Sequence, residues 1–138
     1  MTSSEELQRL IVATLTGAPE IAALVGGVYD KIPASPFGAK TAYISLGPMD
    51  SAEDDAECVT GVEVTVQIDI WSRKDGSLEA KTLTDMVRRR LHRRSLTLSE
   101  NALCDSWVVL TRVFRDPDGL TTHGVVQVTF MIEEPETA

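Results

Sequence analysis

The sequence predicts one α+β domain over residues 1–138, an antiparallel or mixed β-sheet with two main helices packed on it, in the order helix, strands, helix, hairpin. Three observations lead there. Val62, Val64, Val66, Ile68 and Ile70 alternate with Glu63, Thr65, Gln67, Asp69 and Trp71, the period of a strand with one face on a core. Two other stretches repeat apolar residues at helical spacing. Residues 107–132 form two β-branched and aromatic runs around Asp116-Pro117-Asp118-Gly119, a strong turn code.

In order along the chain, Ser3 with Glu6 makes a capping box, followed by Leu7, Leu10, Ile11, Val12 and Leu15 on a helical stripe. Gly17 ends that helix, and Pro19 opens a short turn over residues 20–25. Residues 28–32 are extended, Pro33 and Pro36 mark a loop, and residues 42–46 read as a strand. Residues 50–57 hold five carboxylates and are expected to form an acidic loop before the alternating strand. Asp75-Gly76-Ser77 caps a second long helix over residues 78–93, whose apolar stripe is Ala80, Leu83, Val87 and Leu91.

Proline presets φ in the hairpin turn, and Gly119 tolerates the left-handed residue that closes a bulged loop. If the loop is of that type, positions summing to 236 oppose each other. Val108, Leu110, Phe114, Val126, Val128 and Phe130 then face the core. Trp107, Val109, Thr111, Val113, Val125 and Met131 share the other face, too apolar for water, which another element or another subunit must cover. A loop without the bulge would scramble this parity. Trp71 and Trp107 suit either an interface anchor or a second core layer beneath a helix.

The composition is globular, with 43% hydrophobic and 25% charged residues, and no apolar run approaches the roughly 18 residues of a membrane span. Residues 1–6 are acidic, unlike the basic start of a secretory signal, so synthesis and retention in a cytoplasm are expected. Cys58 and Cys104 are expected to be reduced thiols, although one bridge is possible. The net charge of −8 argues against general affinity for nucleic acid and suits a surface past which DNA slides without sticking.

Catalytic patterns are lacking. No Gly-x-Ser-x-Gly elbow, P-loop or Gly-x-Gly-x-x-Gly occurs, and the two histidines and two cysteines have no metal-ligand spacing. Neither a metal nor a cofactor is expected. The acidic stretch lacks the ligand spacing of a calcium loop, and Asp116 and Asp118 are explained by the turn they occupy. Arg88, Arg89, Arg90, His92, Arg93 and Arg94 crowd the end of the second helix, where cations complement its dipole. Arg88, Arg89 and His92 point away from the apolar stripe. They are candidates for a salt-bridged subunit contact or, against the acidic remainder of the chain, for DNA contact.

Read in order, the chain resembles the tail-completion, or tail-terminator, proteins of long-tailed phages and gene-transfer particles. The resemblance rests on an ordered set of segments: the N-terminal helix, Ile21-Ala22-Ala23-Leu24-Val25-Gly26-Gly27-Val28-Tyr29-Asp30, Pro33, Ala42-Tyr43-Ile44-Ser45-Leu46-Gly47, and Ile68-Asp69-Ile70-Trp71-Ser72-Arg73. The second helix, Leu96-Thr97-Leu98 and the stretch from Arg115-Asp116-Pro117-Asp118-Gly119 to Thr122-His123-Gly124 complete it. It implies a non-enzymatic virion protein, assembled in the host cytoplasm, that closes into a ring, usually a hexamer. Its partners would be further copies of itself, the tail tube protein and the head connector or stopper, with DNA only in transit and no membrane. Subunit-interface candidates are Trp107, Val109, Val113, Val125, Trp71, Arg115 and His123. Candidates for partner-facing or lumenal surface are Arg88, Arg89, His92, Asp54 and Asp55. The alternatives are a head-completion or stopper neck protein and a small nucleic-acid-binding module acting through the arginine-rich helix end.

Overall fold

The computed structural model describes residues 1–53 and 60–135. Asp54, Asp55 and Cys58 lie outside the described residues. The elements are α1 (Ser3–Thr16), α2 (Pro19–Ala22), β1 (Val25–Tyr29), β2 (Ala42–Glu53), β3 (Thr60–Ser72), α3 (Leu78–Leu91), β4 (Ala102–Arg115) and β5 (Thr122–Glu134). They build a mixed α+β fold around one sheet of order β1-β2-β3-β5-β4, parallel only between β1 and β2.

Both predicted apolar stripes face this sheet. Leu7, Ile11 and Leu15 of α1 and Ala80, Leu83, Val87 and Leu91 of α3 are fully buried against Val64, Val66, Ile68 and Ile70 of β3 and Val126, Val128 and Phe130 of β5. The period of each element decides which side chains meet there, every second residue of a strand and every third or fourth of a helix.

The helix ends differ from expectation. Thr2, not Ser3, caps α1, its Oγ1 accepting the Glu5 N–H at 3.1 Å. Glu6 is thereby released from a capping box and turns into the protein. Its carboxylate accepts from the backbone N–H groups of Ser99, Glu100 and Asn101 at 3.1, 2.7 and 3.0 Å, and from the Ser99 hydroxyl and the Asn101 amide. Those bonds to the charged form lower its pKa from 4.5 to about 2, the Ser99 bond contributing most. The turn after Pro19 is shorter than expected, because Val25 already pairs with β2. Ser77 occupies the cap position of α3 but makes no side-chain cap bond. That helix stops at Leu91, where Arg93 takes a φ of +52° and its N–H donates to the Ser106 carbonyl at 2.9 Å.

Two strands depart from the sequence reading. β2 continues past Leu46, across an irregularity at residues 46–49, so that Asp50, Ser51, Ala52 and Glu53 pair with Thr65, Val64, Glu63 and Val62. The expected acidic loop therefore begins as strand. β3 alternates so strongly that it templates a neighbour of poor intrinsic β propensity. In the β4–β5 hairpin, positions 105–108 do oppose partners summing to 236. A bulge between Val108 and Leu110 then adds a residue and shifts every later pair by one.

The bulge reverses the expected parity beyond it. Leu110 and Phe114 are not core but exposed, at 36% and 39%. Val113 lies opposite Gly124 on the helix-covered face. There Gly124 cannot be replaced without a clash, since an added Cβ would stand 2.4 Å from Thr84 Oγ1 of α3. The turn falls where expected, the Gly119 N–H donating to the Asp116 carbonyl at 3.0 Å with a Gly119 φ of +72°, but its loop is not the bulged type: the Asp116 N–H donates to the Thr121 carbonyl at 2.8 Å, and the pairs beside it sum to 237. Asp118 fixes the loop by accepting the Leu120 and Thr121 N–H groups, both at 2.8 Å, and these bonds hold its carboxyl below the usual range.

Candidate functional site: the open sheet face and its edges

Across the sheet face opposite α1 and α3, register alone aligns the side chains in rungs. One rung is Tyr43, Trp71, His123 and Phe114, contributed by β2, β3, β5 and β4. The next is Ser45, Asp69, Val125 and Arg112, and further along come Gln67, Gln127 and Leu110, then Asp50, Thr65, Thr129 and Trp107.

The first rung is a continuous stack. His123 lies 3.8 Å from Trp71, nearly parallel at 17°, and 4.8 Å from Phe114 on its other side. Tyr43 follows Trp71 at 6.2 Å, and the Phe37 edge meets Tyr43 at 4.7 Å. The Arg73 guanidinium covers Phe37 at 3.7 Å from its centroid. Burial pushes the Tyr43 hydroxyl up from its ordinary value.

Polar bonds tie the stack to the second rung. His123 Nε2 meets Asp69 Oδ1 at 2.7 Å, and Trp71 Nε1 donates to Ser45 Oγ at 2.9 Å. Gln67 Nε2 donates to Asp69 Oδ1 at 3.0 Å, while Gln127 Nε2 donates to Gln67 Oε1 at 3.3 Å. Asp69 is buried, so its two partners offset the cost of removing a carboxylate from water. These bonds link side chains of β2, β3 and β5 across the open face.

The candidate residues divide on this frame. Trp71 and His123 meet in the stack, both half-buried. Trp107 is half-buried on the same face, with the Arg93 guanidinium 5.7 Å from its centroid, and Val109 at the bulge is 57% exposed. Val125 belongs to this face but is buried, a short side chain in register between Asp69 and Arg112 with His123 and Gln127 on either side. Arg115 ends β4 exposed, its Nη1 3.4 Å from the Gly119 carbonyl.

Three carboxylates partly neutralise the basic helix end within the subunit, and Arg94 donates its Nε to the Arg89 carbonyl. Arg88 and Arg89 both pair with Asp85, at 2.9 and 2.7 Å, and Arg88 in particular holds that carboxyl below its usual range. Arg90 grips Glu20 of α2 with two bonds of 2.6 and 2.8 Å, and Arg93 pairs with Asp105. His92 is not an outward surface residue. It is half-buried, and its Nδ1 accepts the Val108 N–H at 3.0 Å, sealing the backbone beside the β4 bulge. Cys104 is exposed.

Sequence reasoning missed the Asp69–His123 pair, Phe114 as the outer member of the stack, and Glu6. The alternation on β3 places Asp69 beside Trp71 on one face. Only the β3–β5 register brings His123 across to them.

Fold and face together define a class: a small α+β protein with one helix-covered and one open sheet face. The family model described as "Tail completion protein gp17" matches residues 9–133. The chain belongs to the tail completion protein gp17 family, and is a structural component of a phage-type virion tail. It is 26% identical over 90 residues to tail completion protein gp17 of Bacillus phage SPP1, an alignment spanning 65% of this chain and 66%, just under two thirds, of that protein. A chain in the virion of a native gene transfer agent particle superposes with a TM-score of 0.84 at 26% identity, covering 94% of this chain and 96% of that one. The structure of bacteriophage SPP1 gp17 shares the fold at a TM-score of 0.59 and 21% identity, over 93% and 89% of the two chains.

Proposed function

We propose that the protein forms a ring, a hexamer by family resemblance, on the last layer of the tail tube, where it stops tube growth and docks the head connector. The observation that carries this reading is the tail-completion family match over residues 9–133, nearly the whole chain. Tube growth is head-to-tail assembly in which each ring offers a face complementary to the next. A terminator matches the tube on one side and lacks the continuing face on the other, which requires no catalytic group or cofactor.

The hydrogen-bonded sheet face with Trp71, His123 and Phe114, extended by Trp107 and Val109, supplies contact surface for neighbouring subunits. Arg88, Arg89 and the acidic stretch with Asp54 and Asp55 serve surfaces that meet partners or line the channel. A net charge of −8 suits a channel through which DNA passes without being held. Deleting the gene is expected to give overlong tails that fail to join heads, visible by electron microscopy of lysates. Tails of normal length joined to heads in the deletion strain would overturn the proposal.

A further inference from the structure

The sheet has two incompletely covered edges, and they match each other. On one side β1 shields β2 through the pairs Val25↔Ala42, Val28↔Ile44 and Tyr29↔Ser45, leaving residues 46–53 without a strand partner on that side among the described residues. On the other side the 92–93 segment covers β4 at Ser106 and Val108, through the Arg93 N–H to the Ser106 carbonyl and the Val108 N–H to His92 Nδ1. Residues 109–115 beyond it have no strand partner on that side among the described residues. Open edges are templates for pairing with another chain, and closed arrangements remove them.

The two edges are complementary in charge, direction and surface. The β2 edge carries Asp50 and Glu53 and no cation; the β4 edge carries Arg112 and Arg115 and no carboxylate. Among the described residues none of these four makes an ion pair within the subunit. β2 runs antiparallel to β3, β3 to β5 and β5 to β4, so β4 runs opposite to β2. Copies related by rotation about a ring axis thus present antiparallel edges. Val109 and Leu110 on the β4 edge are 57% and 36% exposed.

We propose that β4 of one copy adds to the open part of β2 of the next, continuing the sheet from subunit to subunit with Asp50 opposite Arg112. That register sets Ser51 against Thr111 and Ala52 against Leu110. Asp50 and Arg112 lie on the open face and Ser51 and Thr111 on the helix side, as cross-strand neighbours must. The contact is heterologous, joining two different patches, and so propagates around a ring. It deepens the ring reading above, and rests on it only for closure.

The test uses the full chain in assembled particles, with Cys58→Ser and Cys104→Ser as background. Under mild oxidation the double variant Ser51→Cys/Thr111→Cys is expected to give a ladder of cross-linked oligomers, and neither single variant any cross-link. Arg112→Glu is expected to lower the yield of joined particles about tenfold or more through like-charge contact with Asp50, and Asp50→Arg in the same chain to restore it. Absence of the ladder, a single variant cross-linking to itself, or no rescue would overturn the inference. The arms separate it from the function: a ladder with normal tails in the deletion strain removes the terminator role and leaves the edge contact standing. Unjoined tails in the deletion strain with no ladder do the reverse.

Discussion

Glu6 illustrates how one buried carboxylate can tie two distant segments together. It joins the first turn of α1 to the 99–101 turn that leads into β4, and its pKa is depressed to about 2. A depressed carboxylate stabilises the fold above its unfolded value and loses that contribution as protons bind. This part of the stability is therefore complete above about pH 4.5 and disappears as pH falls toward 2. Glu6→Gln is expected to lower the urea midpoint at pH 7, with a difference from the parent protein that narrows at pH 3. An unchanged difference across that range would rule out the charged acceptor as the cause. Gly124 acts through space, not charge. With a Cβ 2.4 Å from Thr84 Oγ1 and 3.2 Å from Ile70 Cβ, Gly124→Ala is expected to cost about 1–3 kcal/mol, partly recovered by Thr84→Ala. Equilibrium unfolding of the two single variants and the pair measures both effects.

At the scale of elements, α3 shows the difference between its two sides. Leu83 is fully buried in the core, and Leu83→Ala is expected to cost about 2–5 kcal/mol in chemical denaturation. Arg89 is exposed, its ion pair with Asp85 mostly solvated, and Arg89→Ala should stay within about 0.5 kcal/mol. The stripe on α3 and the alternation on β3 were legible in the sequence because each is local: period alone assigns the faces. The bulge in β4 was not. Residues 107–114 carry no glycine or proline to announce it, and it is defined only against the register of β5. Between that bulge and the turn the pairs sum to 237, which exchanges Phe114 and Val113 between faces and puts Thr111 and Val113 of the expected contact face on the helix side. β2 beyond Leu46 was hidden for a related reason. Its carboxylates read as loop, and pairing with β3 makes them strand.

For the whole molecule, charge distribution matters more than its sum. Arg88, Arg89, Arg90 and Arg93 are each engaged by a carboxylate of the same subunit, in a chain with a net charge of −8. The protein is therefore expected not to retain duplex DNA in a low-salt mobility-shift assay, and Arg88→Ala/Arg89→Ala to leave that result unchanged. Retention by the parent protein that the double substitution abolishes would favour a nucleic-acid-binding module. By contrast, Arg112 and Arg115 on one open edge, and Asp50 and Glu53 on the other, find no ion-pair partner among the described residues of the subunit.

The sequence by itself determined the class of fold, the three long amphipathic elements, the Asp116–Gly119 turn and the likeness to tail-completion proteins. All of these follow from local periodicity, turn chemistry and the order of segments. The tertiary structure alone decided which strand neighbours which, and with that the stack of Tyr43, Trp71, His123 and Phe114, the Asp69–His123 bond, the buried Glu6 and the two unpaired edges. These depend on register between strands distant in the chain, and register is set by packing of the whole sheet against its helices rather than by any stretch of residues alone.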